Sequence, residues 1–226
     1  MIFLMNGNIS IAILGSTGYV GLELVKILSH HPKVKINFLG SNSHSGKSIS
    51  EFSQNINIKS LPNIQLNSEI NLLDTDIIFL ALPHSHSIPF VKHNIHKSKI
   101  IDLSADFRFD NKDTYNNNYN ENHSCPELLS EFVYGLPEIN FESIKKSQNV
   151  AIPGCYPTSI LLPLIPLLKK KLIKYDEIII DSKSGYSGAG KKFDIKNISN
   201  KGSLNFYNYN TNNHRHISEI KQELLK

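Results

Sequence analysis

Cysteine is scarce in this sequence, with only Cys125 and Cys155 among 226 residues. Two cysteines cannot build the disulfide framework of a small secreted protein, and neither has a neighbour at zinc-ligand spacing. We therefore expect two reduced thiols in a cytoplasmic protein and no metal site.

A strong excess of one charge is also absent, because 24 basic residues stand against 20 acidic ones. The net charge of +4 is too small to indicate a nucleic-acid partner. No apolar stretch reaches membrane-spanning length, since the run around residues 160–168 contains Pro163 and Pro166 and ends at Lys169. The apolar residues 1–5 are too short for the core of a signal peptide. We expect a globular protein without nucleic-acid or membrane partners.

The first half of the chain alternates apolar, strand-like runs with helical patterns. The predicted strands cover residues 9–14, 34–39, 76–82 and 99–103, and a helix is predicted over residues 19–29. Strands that alternate with crossover segments are typical of a doubly wound parallel sheet. We predict such an α/β domain over residues 1–150.

The second half has a different texture. Residues 110–130 are polar and rich in asparagine, and we interpret them as a surface connection. Beyond residue 150, the patterns predict a helix at 156–171, a strand at 177–181 and a helix from 217 to 225. These predict an α+β domain over residues 151–226, incomplete at its C-terminal end.

A glycine-rich segment, Gly-Ser-Thr-Gly-Tyr-Val-Gly, lies at residues 15–21 between a predicted strand and a predicted helix. Glycines at this place let the backbone turn tightly and approach a pyrophosphate at the N-terminus of the helix. The spacing is a variant of the dinucleotide fingerprint and predicts a Rossmann-type domain, although a tight turn in another α/β protein would also fit. The candidate cofactor-binding residues are Gly15, Ser16, Thr17, Gly18, Tyr19, Val20 and Gly21.

Carboxylates are missing where an NAD site usually has one. A site that prefers NAD places Asp or Glu about 20 residues beyond the glycines to bind the ribose hydroxyls. No carboxylate occurs between Lys26 and Ser50, whereas Ser41 lies in a hydroxyl-rich loop with Lys47 nearby. This favours NADP(H) as the cofactor, with Ser41 as a contact, although Ser41 and Ser43 also suit a simple turn.

Cys155 has the setting of a nucleophile, within Pro-Gly-Cys-Tyr-Pro-Thr ahead of an apolar helical run. A thiol at a helix N-terminus meets the positive end of the dipole, which favours the thiolate that attacks acyl carbons. A single cysteine is more often an inert buried thiol, so this pattern alone leaves both readings open. Cys125 lies in the polar connection and receives no role.

Two later segments carry groups for proton transfer and anion binding. His214-Arg215-His216 offers a general acid or base and a cation, although a basic surface triplet is the alternative. The Gly/Ser-rich residues 184–191 offer backbone N–H groups, hydroxyls and the Lys191 cation, although a flexible loop tip would look the same. Ser187 and Gly188 are candidate cofactor contacts in this loop.

Taken in order, these segments resemble the N-acetyl-γ-glutamyl-phosphate reductase family, in the wider aspartate-semialdehyde dehydrogenase superfamily. The resemblance runs from Ile9 onward and is carried by residues 15–21, 81–84, 103–108, 134–138, 153–158, 184–191 and 214–216. Members of this family are substantially longer, so we expect a C-terminally truncated member.

The resemblance implies a mechanism and a set of roles. Cys155 attacks N-acetyl-γ-glutamyl phosphate and expels phosphate, and NADPH reduces the thioester to the semialdehyde in arginine biosynthesis. His216 is the implied acid/base, and the candidate substrate-binding residues are Arg108, Lys191, His214 and Arg215. The family also implies a homo-oligomer when the protein is full length.

Two other functions remain open. One keeps the chemistry but takes aspartyl phosphate or a carrier-bound aminoadipyl phosphate as substrate. The other is an inactive NADP-binding protein, motivated by Ile152, where the family usually has asparagine before Pro-Gly-Cys, and by the length of the chain.

Overall fold

The computed structural model describes residues 8–53, 61–176, 178–190, 208–211 and 213–226. Within these ranges seven strands form one sheet in the order β3-β2-β1-β4-β5-β7-β6, and every neighbouring pair is parallel. The strands are β1 (Ile9–Leu14), β2 (Val34–Gly40), β3 (Ile64–Gln65), β4 (Ile77–Leu80), β5 (Lys99–Asp102), β6 (Phe132–Tyr134) and β7 (Asn149–Ala151). The doubly wound parallel sheet is confirmed, and its order reverses at β1.

Helices connect the strands and continue beyond β7. They are α1 (Tyr19–Leu28), α2 (Ser87–Asn94), α3 (Lys112–Tyr119), α4 (Pro137–Lys146), α5 (Cys155–Lys169) and α6 (His216–Leu224). The four predicted strands of the sheet and the helices α1, α5 and α6 agree with the structure to within two residues. Among the described residues, no helix combines the length and the apolar character needed to cross a bilayer.

Alternating side chains of β1 place two apolar layers on the two faces of the sheet. Ile11 and Ile13 pack on one face, where Val25 of α1 covers them. Leu14 packs on the other face with Val91 of α2. Because successive residues of a strand point to opposite faces, a strand buried on both sides appears in the sequence as an uninterrupted apolar run. This packing holds the ends of the strands in a fixed arrangement.

A third apolar cluster joins the second half of the chain to the edge strand β6. Tyr134 of β6 packs there against Ile160 and Leu161 of α5 and Ile220 of α6. The cluster explains why α5 and α6 pack side by side, and it brings the N-termini of both helices toward the end of the sheet.

The interpretation of residues 110–130 as a surface connection was wrong in part. This segment contains α3 and a 3-10 helix (Pro126–Glu131), and it buries both Tyr115 and Cys125 completely. Its asparagines have specific positions: the Asn111 side chain accepts from the Thr114 N–H at the start of α3, and Asn120 ends it in the left-handed conformation. Asparagine suits both places, so the polar composition marked helix ends.

The strand predicted at residues 177–181 is also wrong for the part that the structure describes. Residues 178–181 have no strand structure, and the Ile179 side chain is 94% exposed. A strand needs a neighbour to satisfy its backbone groups, and none lies beside this segment within the described ranges. Glu177 lies outside them.

Candidate active site

Four of the candidate segments follow the carboxyl ends of parallel strands and therefore lie at one edge of the sheet. Gly15 follows β1, Ala81 follows β4, Leu103 follows β5 and Ile152 follows β7. Backbone hydrogen bonds continue beyond the strands, from the Ala81 N–H to the Leu14 carbonyl and from the Ile152 N–H to the Asp102 carbonyl. Ligands of open α/β sheets bind at this edge, where the strand order reverses.

Two glycines of the segment after β1 are required by the packing of the protein itself. Gly15 has φ +83°, and a Cβ there would lie 2.2 Å from the carbonyl oxygen of Ala81. A Cβ on Gly21 would lie 2.2 Å from the Gly15 oxygen, so only glycine allows α1 to start this close to the turn. Gly18 differs, because a Cβ there would come no closer than 3.4 Å to the Gly15 oxygen. The space at Gly18 is therefore available to a ligand.

The N-terminus of α1 suits an anion. Gly18 is its N-cap and has no side chain to cap the helix, and the first turn carries no acidic residue. Tyr19 and Val20, the next two residues, are 47% and 52% exposed. Uncapped N–H groups and the positive end of the helix dipole attract phosphate groups. These residues fit the pyrophosphate of a dinucleotide.

Hydroxyl groups connect this turn to the end of β2. Ser16 Oγ donates to the Gly40 carbonyl at 3.1 Å, which anchors the turn. Thr17 Oγ1 lies 3.0 Å from Ser41 Oγ, and both are within 3.4 Å of His44 Nδ1. Sequence reasoning missed His44, although a ring nitrogen among hydroxyls at this position suits a phosphate or a ribose.

The cysteine turn after β7 presents its thiol to solvent. Cys155 is the first residue of α5 and is exposed. Its N-cap, Gly154, again has no side chain, and the first turn of α5 lacks an acidic residue. Cys125 is fully buried in the apolar core against the sheet, so its thiol is inaccessible. Of the two free thiols, only Cys155 can meet a substrate.

The structure brings His216 and Arg108 to this turn. A Cβ on Gly154 would lie 2.8 Å from His216 Nε2 and 3.0 Å from Arg108 Nη1. The Tyr156 ring, next to Cys155, lies 5.3 Å from the His214 ring and 5.9 Å from the His216 ring between centroids. The predicted acid/base and the predicted cation thus adjoin the residues on either side of Cys155.

Both histidines have lowered pKa values. Burial, followed by the charges of Arg108 and Arg215 and by His214, lowers the pKa of His216 to about 3. Burial and the Arg215 charge also lower the pKa of His214. His216 is 6% exposed, and its Nδ1 atom is buried without a hydrogen-bond partner among the described residues. The imidazole of His216 is therefore neutral near pH 7 and able to accept a proton.

The two candidate arginines have different surroundings. Arg108 is 8% exposed and donates from Nε to the Ile152 carbonyl at 2.8 Å and from Nη2 to the Leu103 carbonyl at 3.3 Å. Arg215 is exposed at the start of α6, and its backbone carbonyl accepts from the Asn118 side chain. Arg215 can turn toward a ligand, whereas Arg108 holds two loops together.

The Gly/Ser-rich loop gives less evidence for ligand contacts. Ser187 and Gly188 lie in an exposed 3-10 helix (Tyr186–Ala189), where the Gly188 N–H donates to the Gly185 carbonyl. Lys191 lies outside the described residues. The roles of these three residues as ligand contacts stay predictions.

Sequence reasoning also missed two groups of buried carboxylates. Asp106 accepts from the Ser85 N–H and lies 2.8 Å from His84 Nδ1. Burial would raise the pKa of Asp106, but the hydrogen bonds from His84 and Ser85 outweigh it and the pKa is lowered. Burial raises the pKa of Asp102 to about 6, against hydrogen bonds from Ser104 and Ser87.

The other missed carboxylate is Glu219, which is fully buried on α6. Its signal in the sequence was a charged residue next to Ile220 on the face of an amphipathic helix that packs inward. Buried charges are rare unless they are paired, so such a position indicates a structural or functional contact.

Comparisons with known proteins agree with this geometry. Residues 10–147 match the family model described as semialdehyde dehydrogenase, NAD binding domain, and residues 155–226 match the one described as semialdehyde dehydrogenase, dimerisation domain. The chain belongs to the semialdehyde dehydrogenase family. Its sheet domain is accordingly a nicotinamide-dinucleotide domain.

Two curated relatives carry the same name. N-acetyl-gamma-glutamyl-phosphate reductase of Ehrlichia ruminantium (strain Gardel) is 48% identical over 222 residues, which cover 97% of this chain and 64% of the relative. The enzyme of that name from Desulforamulus reducens is 43% identical, with 96% and 63% covered. The resemblance seen in the sequence is confirmed. The chain spans less than two thirds of the length of these relatives, 64% and 63%.

Solved structures agree with the fold. Aspartate semialdehyde dehydrogenase II from Vibrio cholerae matches with a TM-score of 0.61 at 20% identity, covering 89% of this chain and 56% of that one. The same enzyme complexed with ASA matches with a TM-score of 0.55 at 22% identity, covering 72% and 47%. At this identity the likeness establishes the architecture alone.

Proposed function

We propose that this chain carries the active site of an NADPH-dependent reductase that converts N-acetyl-γ-glutamyl phosphate to N-acetylglutamate semialdehyde and phosphate, a step of arginine biosynthesis. The observation that carries the proposal is an exposed thiol on an uncapped helix N-terminus, at the same edge of the sheet as the glycine turn. The name shared by the curated relatives supports the choice of substrate.

The cofactor preference follows from the end of β2. Thr17, Ser41 and His44 form a polar corner without a carboxylate there, and Lys47 is exposed nearby, with its Nζ 3.8 Å from Glu51. A 2′-phosphate finds no carboxylate repulsion in this corner, whereas NAD sites use a carboxylate to bind the ribose. This supports NADP(H) over NAD(H). When bound, the cofactor supplies the hydride that reduces the acyl group.

The first chemical step belongs to Cys155. Its sulfur forms a bond to the acyl carbon, and the carbon–oxygen bond to phosphate breaks, so that phosphate leaves with the electron pair and a thioester remains. His216 accepts the thiol proton, because its imidazole is neutral and its Nε2 lies against Gly154. Once the acyl carbon has been reduced, the carbon–sulfur bond would break as the aldehyde carbonyl forms, and the electron pair would return to the Cys155 sulfur, which takes back the proton held by His216.

In this proposal the bound substrate raises the pKa of His216, the proposed base. The cations Arg108 and Arg215 contribute to the lowered pKa of His216. A bound phosphate dianion offsets these charges and raises the pKa of His216 toward its ordinary range when the proton is to be accepted. Arg215, His214 and Lys191 are the proposed groups that bind the substrate phosphate or carboxylate, with Arg108 behind them.

The direct test is NADPH oxidation in the presence of the acyl phosphate, together with the phosphate-dependent reverse reaction. Aspartyl phosphate and carrier-bound aminoadipyl phosphate are compared with it by kcat/KM. A preference of at least tenfold for N-acetyl-γ-glutamyl phosphate supports the proposal. A preference for one of the other two compounds would identify that compound as the substrate instead.

The non-catalytic alternative has its own test. NADPH binding is followed by its fluorescence while Cys155 is labelled with iodoacetamide. Cofactor binding without a labelling rate above that of a free thiol would favour a cofactor-binding protein without chemistry. The dimerisation-domain match further supports a homo-oligomer, which light scattering on the purified protein checks.

A further inference from the structure

Glu219 is a carboxylate without any exposed surface, one turn beyond His216 on α6. Removing a charge from water is costly, so a buried carboxylate persists only where its hydrogen bonds and ion pairs offset the cost. Its contacts therefore show what the position is for.

Three donors from three separate segments meet at this side chain. Oε1 accepts from the hydroxyl of Tyr134 at 2.8 Å and from the backbone N–H of Gly154 at 2.9 Å. Oε2 lies 3.4 Å from Arg108 Nη1. Burial and the charge of Glu219 raise the pKa of Tyr134, which keeps that hydroxyl protonated as a donor.

The bond to Gly154 acts on the nucleophile turn. Gly154 is the N-cap of α5, and its N–H precedes Cys155 by one peptide unit. The carboxylate orients that peptide unit and holds the turn against His216 Nε2. Without this acceptor the N–H would be buried and unpaired.

The contact with Arg108 acts on the cation beside the turn. Two other donors of the guanidinium go to the carbonyls of Ile152 and Leu103, which leaves Nη1 between Glu219 and Gly154. The carboxylate thus decides where the positive charge lies relative to Cys155, and it partly neutralises that charge.

We infer that Glu219 is the positioning residue of the nucleophile: one oxygen fixes the peptide before Cys155 and the other fixes Arg108 beside it. This rests on the proposed function, since it names a further residue of that same site. A buried ion pair that only stabilised the fold would leave the behaviour of the thiol unchanged in any variant that still folds.

The experiment measures the rate of Cys155 alkylation by iodoacetamide as a function of pH, in the unsubstituted chain and in Glu219→Gln. Removing a negative charge beside the turn leaves Arg108 uncompensated and favours the thiolate. The pH midpoint of alkylation should fall by about half a unit or more. Circular dichroism confirms that each variant is folded.

Glu223→Gln is the matched control. Glu223 lies one turn further on the same helix, is 9% exposed and contacts Lys226 and Gln222. The Glu223→Gln substitution removes the same charge at a position away from Gly154, so the alkylation profile of this variant should match that of the unsubstituted chain. Glu219→Asp restores the charge and should return the midpoint most of the way.

A folded Glu219→Gln variant whose midpoint and limiting rate equal those of the unsubstituted chain would overturn the inference. If that variant does not fold, hydrogen exchange is measured on the unsubstituted chain instead. The Gly154 amide should exchange far more slowly than the amides of residues 178–185. Equal exchange rates would contradict the inference. Neither measurement uses cofactor or substrate. A failed reductase assay would therefore not be confused with a failed positioning role.

Discussion

The glycine turn after β1 and the cysteine turn after β7 end in N-cap glycines of nearly the same conformation but have different surroundings. Each leads from a parallel strand into a helix through a glycine N-cap, with φ and ψ of −71° and 168° at Gly18 and −63° and 160° at Gly154. Around the first turn stand neutral hydroxyls and His44. Around the second stand Arg108, Glu219 and His216.

The different surroundings suit the glycine turn to ligand binding and the cysteine turn to a chemical reaction. An uncapped helix N-terminus attracts anions wherever it occurs, so both turns offer the same partial positive charge. Neutral hydroxyls at the glycine turn suit a phosphate that is held without reacting. Fixed charges and a proton acceptor at the cysteine turn suit a group that is attacked and replaced.

The largest effect on activity is expected when the cysteine turn loses Cys155, its proposed nucleophile. Cys155→Ser should lower kcat/KM for acyl-phosphate reduction by roughly a thousandfold or more, because an alkoxide is far harder to form than a thiolate. NADPH affinity, measured by fluorescence, should change less than twofold. Cys125→Ala is the matched control and should leave kcat/KM unchanged, and a rate for Cys155→Ser within tenfold of the unsubstituted enzyme would exclude the nucleophile.

Two substitutions in the first turn should separate packing from ligand approach. Gly21→Ala places a methyl group on the Gly15 carbonyl and should lower the free energy of unfolding by roughly 2 kcal/mol or more. Gly18→Ala has room and should leave stability nearly unchanged while NADPH binding weakens. Urea unfolding and fluorescence titration measure the two effects, and equal losses of stability would contradict the packing argument.

The pH dependence of stability tests the electrostatics of the second turn. The pKa of His216 is lowered in the folded state, so the unfolded chain binds the extra proton between about pH 6.5 and about pH 3 and stability falls as pH falls through this window. Relative to His216→Gln, the unsubstituted chain should lose about 2 kcal/mol of unfolding free energy between about pH 7 and about pH 5.

Asp102 titrates in both of these proteins, so the difference between them isolates His216. The pKa of Asp102 is raised to about 6, and this acts in the opposite direction, stabilising the fold as pH falls. Parallel stability curves for the two proteins would show that His216 is not buried as a neutral base. The same substitution should also lower kcat by about a hundredfold, as expected for the loss of an acid/base.

The smallest effect concerns the polar corner of Thr17, Ser41 and His44 beside the glycine turn. Ser41→Asp introduces the carboxylate that NAD sites use and should shift the ratio of the Kd values for NADPH and NADH by about tenfold toward NADH. Ser43→Asp, in the exposed part of the same loop, is the comparison variant. An unchanged ratio in Ser41→Asp would place the 2′-phosphate elsewhere.

Much of this site could be predicted because its signals are local. Gly15 has a positive φ and Gly21 packs against the Gly15 oxygen of the same turn, and Cys155 stands at a helix start that apolar periodicity already indicated. The prediction of a strand at residues 177–181 was wrong because it relied on a local pattern alone. Its local pattern was apolar, but a strand is decided by a neighbour, and none lies beside residues 178–181 in the described part of the chain.

The sequence by itself determined four strands of the sheet, the helices α1, α5 and α6 and the two turns that precede α1 and α5, since each depends on residues close along the chain. Only the tertiary structure decided the surroundings of Cys155, the proposed nucleophile. Glu219 meets Gly154 across 65 residues, Tyr134 across 85 and Arg108 across 111. Such partners are selected by the packing of α6 against α5 and the edge of the sheet, because a buried charge must find its donors wherever the fold brings them.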